Sequence, residues 1–111
     1  MNVSITIHDE FKRQARRLSK KYKSLKSDLQ TLQRELLDNP LQGVDLGGGV
    51  RKIRMAISSK GKGKSGGARV LTLTVLVHDD ADVTLLTIYD KNEIENVADE
   101  YIKWLVSEAN V

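Results

Sequence analysis

The run Val70-Leu71-Thr72-Leu73-Thr74-Val75-Leu76-Val77 constrains this chain more than any other stretch. Eight uncharged, mostly β-branched or leucine residues are too few to cross a bilayer and suit a largely buried strand. Upstream, Ile53, Met55 and Ile57 alternate with Lys52 and Arg54, so a second strand carries apolar groups on one face and cations on the other. Between them lies a glycine-spaced loop with Lys60, Lys62 and Lys64, and Arg69 opens the buried strand. A mobile cationic loop bracketed by strands that carry Arg51, Lys52, Arg54 and Arg69 suits a polyanion, RNA first among them.

The remaining elements follow from periodicity. Val3, Ile5 and Ile7 alternate with polar residues and predict a short first strand. Asp9 and Glu10 suit a helix start, and Phe11, Ala15, Leu18 and Tyr22 form one helical stripe. Arg13, Arg16, Arg17 and Lys20 occupy its other face. Ser24 can cap a second helix striped by Leu25, Leu29, Leu32 and Leu36, which ends at Asn39-Pro40. The two stripes predict a helical hairpin with a basic outer surface. Residues 41–49 read as a glycine-rich connection, residues 78–82 as a hairpin turn, and Val83 to Tyr89 as the returning strand. Asp90 and Glu93 have capping-box spacing for a last helix, with Ile94, Val97, Ala98, Tyr101, Ile102, Leu105 and Val106 on its apolar face. The expected fold is a single α+β domain over residues 1–111, in the order β-α-α-β-β-β-α, with helices on a mainly antiparallel sheet.

Charge is divided along the chain. Residues 1–69 hold 16 of 18 Lys and Arg but 6 of 15 acids, a balance of +10, and residues 70–111 balance at −7. There is no cysteine, and the N-terminal stretch lacks the pattern of a signal peptide, so a cytoplasmic protein with no membrane association is expected. His8 and His78 lack ligand-like spacing, so no metal site and no cofactor is expected. Gly63-Lys64-Ser65 imitates the end of a phosphate-binding loop, but Ser58 stands where the first glycine belongs and a strand follows instead of a helix. Without acid–base histidines, chemistry on RNA can use the substrate's own 2′-hydroxyl, with cations stabilising the transition state. Lys52, flanked by Arg51 and Arg54, has a setting for a general base.

The segment RKIRMAISSKGKGKSGGARVL, followed by LLTIYDKNEIENV at residues 85–97, resembles the RelE/HigB toxins of bacterial type II toxin–antitoxin modules, within the RelE/ParE superfamily. The two helices ending at Asn39-Pro40, then Gly43 and a glycine-rich turn, are also similar, and the basic loop points to the HigB-like branch. The resemblance implies a ribosome-dependent mRNA endonuclease that cuts in the A site by metal-independent 2′-hydroxyl attack. By the same resemblance, Lys52 and Arg54 match the family's basic pair, Arg69 a phosphate-stabilising arginine, and Lys91 a cation supporting the leaving group. Arg51, Lys60, Lys62, Lys64, Tyr89 and the helical cations Arg13, Arg16, Arg17 and Lys20 are expected to contact RNA. A tyrosine of some members would fall near Ala98, leaving Tyr89 or Tyr101 as substitutes by position. The implied partners are mRNA, the ribosome and a DNA-binding antitoxin of HigA or RelB type, with promoter DNA reached only through the antitoxin complex. The alternatives are a ParE-like inhibitor of DNA gyrase and a catalytically inactive RNA-binding domain.

Overall fold

The structure, a computed structural model, describes residues 2–109. Its elements run β1 (Val3–Ile7), α1 (Asp9–Lys21), α2 (Leu25–Asp38), β2 (Val44–Gly47), β3 (Val50–Met55), β4 (Ala68–Val77), β5 (Asp80–Asp90) and α3 (Asp99–Ala109), with a 3-10 turn at Ser58–Lys60. The five strands form one mixed sheet in the order β1-β5-β4-β3-β2, and this is an α+β fold of the expected kind. β1 pairs parallel to β5, and every other neighbour is antiparallel.

Strands β4 and β5 sit in the middle because both of their faces are apolar. Ala68, Val70, Val83, Leu85 and Ile88 face α1 and α2, where they meet Phe11, Leu18, Leu25, Leu32 and Leu36. Leu71, Leu73, Leu86 and Tyr89 face α3 and meet Leu105. The register of β4 against β5 slips between Leu71 and Thr72, so Leu86 is an extra residue in β5. This bulge lets Leu86 and Thr87 both address the α3 side.

Three expectations are corrected. Residues 41–49 are not only a connection, because β2 forms a hairpin with β3 around Gly48-Gly49, both at positive φ. All four β2 residues are exposed, so this strand has no apolar alternation to betray it. The last helix begins at Asp99 and not at Asp90. Asp90 is the final residue of β5, and its carboxylate is committed to a buried lysine instead of a helix end. Ser24 makes no capping bond to α2; its hydroxyl accepts from the Ser59 N–H (2.8 Å) and lies 2.8 Å from Asp28 Oδ2. The first helix does receive a cap, from His8 Nδ1, which accepts from the Glu10 N–H at 3.0 Å.

Candidate functional site

The antiparallel registers set Arg54 opposite Arg69, and Arg69 opposite Tyr89. The adjacent row is Lys52, Leu71 and Thr87. Directly paired residues share a face, and Leu71 and Tyr89 belong to the α3 side, so Lys52, Arg54 and Arg69 also stand there. Three cations and a tyrosine are thereby brought together from β3, β4 and β5.

Two arginines placed opposite one another repel, and the structure separates their roles. Arg54 is exposed and Lys52 half-buried. Arg69 is only 8% exposed, and its guanidinium donates to the carbonyls of Lys64 (3.0 Å), Ala68 (3.1 Å) and Ser65 (3.3 Å). Those carbonyls turn their negative ends toward Arg69, which offsets the charge of Arg54 and folds the loop back onto the sheet. Tyr89 is buried, and its hydroxyl has no partner among the described residues. Burial pushes that hydroxyl's pKa up, against the downward pull of the Arg69 charge.

The other expected contacts are dispersed. Arg51 lies on the opposite face of β3, where it donates to the Leu41 carbonyl at 2.8 Å and sits 3.8 Å from Asp45. It does not crowd Lys52, so that part of the setting expected for a general base is corrected. Lys60 is not a loop-surface cation. Its side chain is 7% exposed and donates to Asp90 Oδ1 (2.8 Å) and the Gly66 carbonyl (2.9 Å). Its ammonium also stands over the Tyr22 ring, 5.2 Å from the centroid. Asp90 is fully buried and accepts as well from the Tyr22 hydroxyl and the Asn92 N–H. Burial opposes ionisation of Asp90, but the bonds from Lys60, Tyr22 and Asn92 outweigh it and hold the carboxyl below its ordinary pKa. Lys62, Lys64 and Lys91 are exposed at this end of the sheet, and the Lys91 N–H donates to Gly67 at 3.1 Å.

On α1, Arg16 and Lys20 are exposed on the outer surface. Arg13 and Arg17 instead border a cleft of about 400 Å³ between α1, the end of β5 and residues 94–101. Arg13 grips Glu10 through two bonds of 2.7 and 2.9 Å, and Arg17 grips Glu93 through two of 2.8 and 3.0 Å. Glu10 is buried and also accepts from the Tyr101 hydroxyl, which lies 3.0 Å from the Thr87 hydroxyl. Burial disfavours the Glu10 carboxylate, yet bonds from Tyr101, Arg13 and Gln14 keep its pKa lowered. Burial and the same carboxylate push Tyr101 up to about 12. Tyr101 therefore stands at the cleft and not simply in the helix core, while Ala98 borders the same cleft and supplies a carbonyl to the first turn of α3.

Reading the sequence alone missed Glu10, Asp90, Tyr22 and Gln14 as members of these networks. Each fits an ordinary helix or cap position; Glu10, Tyr22 and Asp90 have partners far along the chain, whereas Gln14 bonds Glu10 one helical turn away. The described residues contain no helix long and apolar enough to cross a membrane.

A cation row on the central strands, a glycine-rich basic loop and a helical pair on the opposite face of a five-stranded sheet have a counterpart among known families. A family model described as the RelE toxin of the RelE / RelB toxin-antitoxin system matches residues 4–111. Members are toxins whose modules include an antitoxin partner, and this chain belongs to the RelE toxin family.

Proposed function

We propose that the protein is a ribosome-dependent endoribonuclease that cleaves mRNA in the A site, as the HigB-like branch would. The observation carrying this reading is the row of Lys52, Arg54 and Arg69 on paired strands, with Tyr89 at its end. Such a row holds positive charge rigidly where a phosphodiester gains negative charge, the arrangement that accelerates phosphoryl transfer most.

In this mechanism the 2′-hydroxyl attacks the neighbouring phosphorus and passes its proton to water. The P–O5′ bond breaks, leaving a 2′,3′-cyclic phosphate, and the departing oxygen takes up a proton from water. Exposed Arg54 and half-buried Lys52 hold the phosphate directly. Arg69 acts chiefly through its field, since it is buried and three of its N–H donors go to the carbonyls of Lys64, Ser65 and Ala68. Tyr89 closes the end of the row with its hydroxyl buried and its pKa raised by that burial, so it is not suited to act as the base. Lys91, tied through its N–H to Gly67, supports the leaving oxygen. Lys62 and Lys64 lie exposed beside the row, Arg16 and Lys20 are exposed on α1 across the sheet, and together they attract ribosomal or messenger RNA. The antitoxin would be a DNA-binding protein that carries the pair to its own promoter.

The test is a reconstituted translation reaction with mRNA ends mapped by primer extension. Cuts within the A-site codon are expected with ribosomes and not without them. Lys52→Ala and Arg54→Ala should each lower cleavage at least about a hundredfold, the loss typical of one electrostatic catalytic group. Undisturbed translation with no cuts would overturn the reading and direct attention to gyrase supercoiling.

A further inference from the structure

The cleft between α1 and residues 94–101 is not part of the cation row, yet it shares a wall with it. Tyr89 pairs with Arg69 across the sheet and also lines the cleft. The cleft exists because β1 stops pairing at Leu85, leaving the edge of β5 from Leu86 to Asp90 without a strand neighbour. α1 and residues 94–101 close over that edge from either side.

Its chemistry differs from its surroundings. The two arginines at its rim are each neutralised by a bidentate carboxylate, Arg13 by Glu10 and Arg17 by Glu93. Ile94, Val97 and Ala98 supply apolar wall, and Asn96 adds a side-chain amide with no hydrogen bond among the described residues. A phosphate gains little from charges already cancelled. A flat, neutral heterocycle gains more, because the pinned guanidinium planes offer stacking faces, the half-buried Tyr101 adds aromatic contact, and an amide reads a ring edge. The volume of about 400 Å³ is in the range of small-molecule sites.

We propose that this cleft receives a nucleobase of the RNA whose phosphate lies on the cation row. This rests on the RNA-cleavage reading of that row. A base leaving the stack enters between Arg17 and Tyr89, and Asn96 contacts its edge. The site is thus divided by chemistry, with charge for the backbone on the strands and a charge-balanced slot for a base beside them.

The experiment is a ¹H–¹⁵N NMR titration of the full chain with adenosine 5′-monophosphate, with ribose 5-phosphate as the base-free control. The amides of Asn96, Val97 and Tyr101 should shift with the nucleotide and stay fixed with the sugar phosphate. Ala98→Trp at this exposed position should fill the cleft and weaken nucleotide binding at least about tenfold. The paired substitution Gln14→Ala, Asn96→Ala should weaken it without adding bulk. Equal shifts with ribose 5-phosphate, or nucleotide shifts confined to Lys52, Arg54 and the loop, would overturn the proposal. So would Ala98→Trp binding nucleotide normally while failing to bind the antitoxin, which would make the cleft a protein-docking site. Ribosomal cuts without nucleotide in the cleft would defeat this proposal alone, and nucleotide in the cleft without cuts would defeat only the cleavage reading.

Discussion

Lys60 shows how far a residue's role can depart from its surroundings in sequence. It opens a loop of glycines and lysines, yet its ammonium is buried against Asp90, Gly66 and Tyr22. Removing one partner of a buried pair leaves the other charge without compensation. Lys60→Met is therefore expected to lower unfolding stability by about 3–5 kcal/mol, read as a shift in urea midpoint at constant slope. Lys62→Ala and Lys64→Ala, at exposed positions of the same loop, should stay within about 0.5 kcal/mol of the parent. The contrast is the check, because three equal effects would mean that Lys60 is an ordinary surface cation. Tyr22→Phe removes one donor to Asp90 and should cost about 1–3 kcal/mol. Nothing near Lys60 in sequence marks it out, since Asp90 is thirty residues away.

Among the elements, the loop and the strands it joins are held by backbone proximity as much as by charge. A Cβ on Gly67 would lie 2.1 Å from the Met55 carbonyl oxygen, where β3 and β4 part. Backbone cannot yield as a flexible side chain does, so Gly67→Ala should cost at least about 2 kcal/mol. It should also disturb cleavage by moving Arg69 relative to Arg54. A Gly67→Ala protein with unchanged thermal unfolding would show that the loop is not seated in this way. Gly48 has open space around its would-be Cβ, so Gly48→Ala carries only the strain of its positive φ. The capping-box reading of Asp90 and Glu93 failed at this scale. Spacing alone satisfied the motif, but Lys60 took Asp90, Arg17 took Glu93, and α3 was displaced to Asp99.

Across the whole molecule, the charge division along the chain becomes a division in space only in part, since Asp90 and Glu93 return to the cationic end and are held there by Lys60 and Arg17. The cationic loop and Arg69 lie at one end of β4, and Asp79, Asp80 and Asp82 lie at the other, a strand of ten residues away. That is roughly 30 Å at the usual rise per residue, enough for the cationic end to meet a polyanion while the other stays clear. Titration also couples distant parts. Asp90 and Glu10 have lowered pKa values, so they add stability at neutral pH that disappears as pH falls from about 4 through their folded values. Tyr101 has the opposite sense: its contribution is complete below about pH 10 and lost as pH rises toward about 12. Denaturant midpoints measured against pH should decline on both sides, and Tyr101→Phe should flatten the alkaline side and, by removing a bond to Glu10, also reduce the acid-side decline. An unchanged alkaline decline in that variant would assign it to other groups.

The sequence by itself determined the first two helices and the body of the third, four of the five strands, and the placing of Lys52 and Arg54 on the face opposite Ile53 and Met55. These follow from periods of 3.6 and 2.0 acting over a few residues, and burial then enforces them. Only the tertiary structure decided that β1 runs parallel beside β5, that β2 extends the sheet, and that Arg69 is enclosed by carbonyls while Arg54 is exposed. It alone decided that Glu10 meets Tyr101 across ninety-one residues. The physical reason is the same in each case. A local pattern selects an element and a face, but the partner of a buried charge or hydroxyl is whichever group the folded chain brings within hydrogen-bond reach.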